Sequence, residues 1–559
     1  MSHHQPSKLE HLIYWIVHNQ FNRTMVYLIT LILFAISVYL IPLEMVKAKM
    51  LPGKDSDSFS IYVDLPLGSS SAQTKEVTSC IAAQLQQEPI VNAISVFLGE
   101  GQPLDFAGMV KGSALKSSQN VAEIMINIAR ANHRDEQSYN FVSRIRPIIQ
   151  KQCNINNANI KFVELPAGPP VLADVVAEVY GGDSLKSRYA LSQKISAILA
   201  KQKTLVDIDI LYDKPYTKYQ LKLDNNKIIK SQVGVDQVKK IIYLAFEGMN
   251  VGAVNLGDSE NQVPIFLRLD DTRIVENSSK EALKSKLSNL KLMNKQGMMV
   301  PLSEFVQIQK TTQEPSITSK NLNHMINVVA QTNKDSQIYP LLDARSMMIN
   351  TLQEQFIVSN SNLLNLRFVD KKTNEVFDVI FDGELKVTLD TFIELGGAFI
   401  GALVLIFLLM VVYYKNFSLA GAIVLSSFIS LIGVIAGHLI MDLMTVDTFY
   451  LTATSLIGFI GLIGINSRNS LLIIDFTQQL IEQHHMEPNR AIAVATTTRA
   501  KPILLTVLAI VFASSLLATD AVFGGLGVAL VGGTISAYFV SLFFVPAIIQ
   551  RPISKLYKD

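Results

Sequence analysis

The residue best placed to do chemistry is an arginine inside an apolar run. From Gly464 to Phe476 the chain reads G-I-N-S-R-N-S-L-L-I-I-D-F, and Arg468 and Asn469 interrupt a stretch that is otherwise apolar from Phe449 to Phe476. A guanidinium near a bilayer centre costs about 2.5–3.5 kcal/mol on insertion scales, so a sequence that keeps one there holds it for a partner. The expected partner is a carboxylate on a neighbouring helix, and the chain has no good candidate for it. Asp475 shares the Arg468 face but lies about 10 Å further along the axis. It sits near the end of the run and reads as a helix-end carboxylate, not a proton carrier. Arg499 and Thr506 are seven residues apart, close to two helical turns, and so also share a face.

Other reactive residue types are sparse. Cys80 and Cys153 both fall in the long polar segment, where a disulfide is chemically allowed but spacing does not establish one. No metal-ligand spacing appears: His3-His4, His484-His485 and His438 are isolated and read as surface or helix-end residues. The loop Leu98–Leu115 (L-G-E-G-Q-P-L-D-F-A-G-M-V-K-G-S-A-L) has four glycines, a proline and one stranded aromatic, Phe106. It reads either as a surface loop with an anchoring aromatic or as a gate that moves past a ligand.

Six apolar runs are long enough to position these residues in a bilayer, which needs roughly 17–25 residues per helix. They are Thr24–Ile41, Phe392–Tyr414, Leu419–Ile440, Phe449–Phe476, Pro502–Thr519 and Leu526–Ile549. Short loops place Lys415, Arg490, Arg499, Lys501, Arg551, Lys555 and Lys558 on one side, against Asp442, Asp447 and Asp520 on the other. Lys/Arg bias puts the first side in the cytoplasm, with both termini inside and residues 50 to 385 outside. The first run is longer than a signal core, and Pro42-Leu43-Glu44 offers no small-residue cleavage site, so a retained helix is expected. Before it, Leu9–Phe21 suits an interfacial helix or a plain extension of the first span. A net charge of +2 gives no support for a nucleic-acid partner.

The segment between the runs reads as two α/β units. Strand, helix and strand patterns fall at Ser58–Leu65, Ser71–Gln87 and Val91–Leu98, then at Val121–Ala129, Glu136–Gln152 and Ile155–Leu165, the order of a split βαβ sandwich. A second copy begins with Asp174–Tyr180, Leu185–Lys201 and Val206–Leu211. It resumes at Met325–Thr332, Tyr339–Phe356 and Leu364–Val369. Between its halves lies an insert, about Asp213 to Lys310, with strands at Tyr219–Leu223 and Val263–Leu269 and a helix at Val235–Ala245.

This arrangement resembles half of a resistance-nodulation-division (RND) efflux permease. The motifs P-L-E-M-V-K-A-K-M-L-P (Pro42–Pro52), G-Q-P-L-D-F-A-G-M-V (Gly101–Val110), E-L-P-A-G-P-P-V-L-A-D-V-V-A-E-V-Y-G (Glu164–Gly181), G-I-N-S-R-N-S-L-L-I-I-D-F and R-A-K-P-I-L-L-T (Arg499–Thr506) carry the resemblance, which covers essentially the whole chain. It is to the C-terminal half of the hydrophobe/amphiphile (multidrug) type. The first half, with paired aspartates equivalent by pseudo-symmetry to Arg468-Asn469, has no counterpart here.

The resemblance implies an α-helical membrane domain of six transmembrane helices plus an α+β periplasmic domain. The parts are an interfacial helix (1–23), a first helix (24–41), a first porter subdomain (50–170), a second (171–212 and 311–385), a docking lobe (213–310), five helices (392–549) and a cytoplasmic tail (550–559). It implies a secondary transporter, not an enzyme: a proton antiporter of the inner membrane that exports amphipathic compounds without a cofactor. Arg468, Asn469, Arg499 and Thr506 are then proton-relay partners, and Phe97, Phe106 and Met109 line the substrate path. The implied partners are an N-terminal half permease polypeptide, a periplasmic adaptor protein and an outer-membrane channel, in a trimeric assembly. Heavy-metal export (Met109 and Met125 are present), a non-transporting fragment and a protein-export accessory subunit are the alternatives.

Overall fold

The computed structural model describes residues 7–257, 262–269 and 280–557. His3-His4 and Lys558 lie outside them. The chain divides into two units: Met1–Asp64, Lys75–Leu211 and Thr318–Asp559 form one, and Leu65–Thr74 with Tyr212–Ile317 the other.

In the first unit, Ser7 caps α1 (Lys8–His18) by accepting from the Glu10 amide at 3.2 Å. This helix buries Ile13, Ile16 and Val17 and leaves Trp15 exposed. Extended Asn19 then caps α2 (Gln20–Tyr39) through the Phe21 amide. The first apolar helix therefore starts four residues before the expected Thr24.

The strands β1 (Ser58–Asp64), β2 (Val91–Glu100), β3 (Ser117–Ile128) and β4 (Asn159–Glu164) form an antiparallel sheet in the order β2-β3-β1-β4. Three helices fall between them: α3 (Ser71–Leu85), the short α4 (Phe106–Lys111) and α5 (Ser138–Gln152). On α5 the buried Phe141, Val142, Ile145 and Ile149 recur at helical spacing, the pattern of one apolar stripe. Cys80 on α3 and Cys153, the C-cap of α5, are joined in a disulfide with Cα atoms 5.7 Å apart.

A second sheet comprises β5 (Val175–Gly181), β6 (Leu205–Leu211), β7 (Thr318–Lys320), β8 (Asn323–Thr332), β9 (Phe356–Asn362), β10 (Asn365–Asp370) and β11 (Val376–Asp382). Its order is β7-β8-β5-β11-β10-β9, with β6 also paired to β8. The helices α6 (Leu185–Leu199) and α7 (Ile338–Leu352) contribute Leu191, Ile195, Leu341 and Met348 to its core. One expectation is corrected. The helix expected to run to Phe356 stops at Leu352, and Phe356 opens β9. The expected strand at Leu364–Val369 is β10, and a strand not foreseen, β11, lies between it and β5. Phe377, Val379 and Phe381 alternate into the core, so β11 has the period of a half-buried strand.

The two sheets are held together beside β4 and β6. Arg146 Nε lies 3.3 Å from Asp207 Oδ2, with both side chains almost fully buried. Gln150 Nε2 and the Phe162 amide donate to Asp207 at 2.7 and 2.9 Å. Lys161 Nζ lies 2.7 Å from Asp209 and 2.9 Å from Asp64.

Gly383, at φ +86°, turns the chain from β11 into α8 (Glu384–Tyr414). A Cβ there would strike the Ala173 carbonyl. There follow α9 (Phe417–Ile429), α10 (Leu431–Met444), α11 (Ala453–His484), α12 (Pro488–Leu517) and α13 (Gly524–Phe539), then a π turn (Val540–Phe544) and α14 (Val545–Leu556). With α2 these make, among the described residues, six runs long and apolar enough to cross a membrane, α9–α10 and α13–α14 each counting as one. Phe449–Leu451 is not helical: the Leu451 amide donates to Lys47 O at 2.8 Å, and α11 starts after Thr452. The fifth helix begins at Pro488, well before the expected Pro502.

The second unit pairs a strand Tyr216–Leu223 with Val306–Gln313 and a strand Met249–Val254 with Val263–Leu267. The helices Asn225–Lys230, Val235–Phe246 and Lys280–Asn289 accompany them. Ile228, Val238, Leu287, Leu302 and Phe305 form its core.

Candidate functional site

The α11 helix begins with a reciprocal cap between Thr452 and Ser455. One side of it is buried through Leu462, Asn466, Ser470, Ile473 and Thr477. The opposite side, Ile457, Gly461, Gly464 and Arg468, is exposed at spacings of four, three and four. Arg468 and Asn469 therefore face different surroundings. Arg468 is exposed and forms no ion pair among the described residues. Asn469 is 2% exposed, and its Nδ2 is buried without a hydrogen bond, as is Nδ2 of Asn466.

Two helices border the Arg468 side. From α8, Tyr414 donates its hydroxyl to Asp475 Oδ1 at 2.6 Å and Tyr413 donates to Oδ2 at 3.4 Å. From α12, the Arg499 guanidinium lies over the Phe476 ring at 4.8 Å, a cation–π contact. Its Nε is buried and unbonded. Thr506 is exposed, and its hydroxyl donates to its own helix at Ile503 O, 2.7 Å. Arg468, Asp475 and Arg499 thus gather around one outward surface, from which Asn469 is excluded.

Two buried polar groups depart from the sequence expectation. Ser426 and Ser427 of α9 meet Ser470 and Ser467 of α11 at 3.0 and 3.2 Å. The hydroxyl run S-S-F-I-S, Ser426–Ser430, was the available signal. His438 is neither at the surface nor at a helix end. It is fully buried, with Nδ1 2.7 Å from Val434 O and Nε2 2.8 Å from Ser455 Oγ.

The glycine-rich loop contains a capped helix. Asp105 accepts from the Gly108 amide at 2.6 Å, and left-handed Gly112 closes the other end. The Gln102 amide donates to Glu123 Oε2 at 3.1 Å, and Ser113 donates to the Tyr62 hydroxyl at 3.0 Å. Burial raises the Glu123 carboxyl above its ordinary value. Phe106 is not an anchor: it is 63% exposed, beside exposed Leu104, Met109 and Leu115. Phe97, on β2, is half-buried.

Lys111, the last residue of α4, reaches a cavity of about 410 Å³. Lys49, Lys111, Arg146, Glu164, Asp174 and Glu384 line it. Lys49 is 8% exposed and stands 5.5 Å above the Tyr450 ring. Burial pushes the Lys111 amine below its ordinary value and the Glu164 carboxyl above its own. Among the described residues, no cluster of three or more His, Cys, Asp or Glu side chains is arranged to hold a metal ion.

The AcrB/AcrD/AcrF family profile matches residues 1–364 and 367–550. This chain belongs to the AcrB/AcrD/AcrF family. Its fold is also similar to two crystal forms of a heavy metal efflux pump. Form II has a TM-score of 0.69 and 17% identity, covering 98% of this chain and 52% of the other. Form I has a TM-score of 0.68 and 16% identity over the same shares. The chain spans about half the length of these structures. The six described helical runs long and apolar enough to cross a membrane agree with membership of this AcrB/AcrD/AcrF family.

Proposed function

We propose that this chain is the C-terminal half of a proton-driven efflux permease and works with a second six-helix half that supplies membrane carboxylates. The observation that carries this reading is Arg468, exposed and without an ion pair, on a face bordered by α8 and α12. A proton-driven cycle needs a buried group that changes charge near neutral pH. Guanidinium groups stay protonated, and Asn469 and Thr506 do not titrate. Two copies of this chain related about an axis along the membrane normal would bring one Arg468 against another, and like charges at low dielectric repel. Carboxylates facing Arg468 would pair with it when ionised and release it when protonated, shifting α11 against its neighbours. The strand-rich region then lies outside the membrane and takes alternating shapes, while the second unit docks to an adaptor and an outer-membrane channel within a trimer.

Amphipathic compounds are the favoured substrates because Leu104, Phe106, Met109 and Leu115 present an exposed apolar surface. Heavy-metal export is the second reading, supported by the fold likeness to a heavy metal efflux pump. The test is drug and metal resistance in an efflux-deficient host expressing this chain alone or with a half bearing paired aspartates. Resistance only in the pair supports the proposal. Full resistance from the chain alone, or loss-free Arg468→Ala in the pair, overturns it.

A further inference from the structure

A groove of about 560 Å³ runs between α2, α10, α13 and the π turn. It forms because α10 and α13 approach backbone to backbone: a Cβ on Gly433 would strike the Gly532 carbonyl, and one on Gly532 would strike that of Gly433. The α2 helix stands against them with only Asn22 and Ser37 buried. The walls are apolar, built by Ile29, Leu33, Ile432, Ile440, Phe539 and Phe543. The Thr30 hydroxyl is turned back onto Val26 O at 2.8 Å, so it offers little to a polar ligand.

One end of this groove is cationic. Arg23 lies one turn before Val26 and Tyr27 on α2, and its Nη1 is buried with no hydrogen bond among the described residues. Tyr27 packs edge-on against Phe544 of the groove, centroids 5.9 Å apart, and donates its hydroxyl to Ala547 O at 2.7 Å. Arg551 is exposed one turn beyond Ala547, the residue whose carbonyl accepts the Tyr27 hydroxyl. A hydrocarbon slot leading to two guanidinium groups matches one molecule at both ends.

We propose that the groove is a site for an anionic phospholipid, with an acyl chain between α2 and the π turn and the phosphate between Arg23 and Arg551. Guanidinium donors match phosphate oxygens in geometry as well as charge, and basic pockets between membrane helices take anionic headgroups. A lipid fits better than a protein helix. The face proposed to receive a second half is bordered by α8 and α12, whereas this groove opens beside α2 and α10. The site rests on the chain's place in a membrane, and only the preference for a lipid over a protein helix rests on the proposed function.

Native mass spectrometry of the full chain in detergent tests it, with dioleoyl-phosphatidylglycerol or dioleoyl-phosphatidylcholine added at equal concentration. The expected result is one tightly held phosphatidylglycerol, preferred over phosphatidylcholine, with each of Arg23→Gln and Arg551→Gln weakening that preference about five-fold. Arg23→Lys should keep most of it. Ala436→Phe, which fills the groove wall, should weaken both lipids. Equal binding of the two lipids by the unaltered chain overturns the proposal. So does a preference that survives in the double Arg→Gln variant, or lipid binding unchanged by Ala436→Phe. The readout is lipid retention, so failure to transport leaves it untouched.

Discussion

Arg468 and Asn469 are adjacent in sequence, yet one faces out of the helix bundle and the other is sealed within it. The two substitutions should therefore separate cleanly. Arg468→Ala should abolish export in the paired system while leaving the thermal midpoint of the purified chain nearly unchanged. Asn469→Leu removes a buried amide nitrogen that has no hydrogen bond. An orphaned buried polar group costs about 1–3 kcal/mol, so this variant should melt no lower than the unaltered chain. A large loss of stability in Arg468→Ala, with export retained, would reverse the assignment.

Phe106 is exposed on a helix that is capped at both ends and tied to Glu123 and Tyr62. Phe106→Ala should change the range of compounds exported without lowering the protein level. Minimum inhibitory concentrations across a compound panel, read beside immunoblots, give the answer. A uniform loss accompanied by reduced protein would point to a folding role.

Asp207 collects Arg146, Gln150 and the Phe162 amide where the two sheets meet. Removing one partner of a buried pair strands the other, at about 3–5 kcal/mol. Asp207→Ala should lower the thermal midpoint sharply, and adding Arg146→Met should recover part of the loss. If the double variant is less stable than Asp207→Ala, the stranded charge is not the cause.

Glu164 lines the charged cavity, and burial raises its carboxyl above the ordinary 4.5, with Arg146 opposing and Asp174 adding to the rise. The folded protein then holds this proton more tightly than the unfolded chain. The resulting stabilisation is complete below pH 4.5 and is lost as pH rises through the folded value. Glu164→Gln should remove that slope, matching the unaltered chain in acid and exceeding it at neutral pH. Parallel stability–pH curves for the two proteins would count against it.

Long-period patterns were legible in the sequence. The apolar runs stand out because a membrane helix must be apolar over most of its length. The Leu364–Val369 strand is legible, but its place in the sheet is not, because alternation identifies a strand without naming its neighbour. β11 has equally clear alternation in Phe377, Val379 and Phe381, but a four-stranded template left no room for it. Arg468 was legible by type, whereas its outward direction depends on which side of α11 meets α9 and α13. His438 looked isolated because its partner Ser455 is seventeen residues away, across a break between helices. Helical spacing cannot reveal a contact of that kind.

The bond between Cys80 and Cys153 has a consequence beyond holding two helices together. Thiols in a reducing cytosol stay reduced, whereas those delivered to an oxidising compartment can close. The redox state of this one pair is therefore a biosynthetic record of which compartment the strand-rich region reached. Alkylating the free thiols in freshly lysed cells would read that record as a mass shift, separating chains that inserted in the proposed orientation from those that stalled or inverted, before any transport is measured.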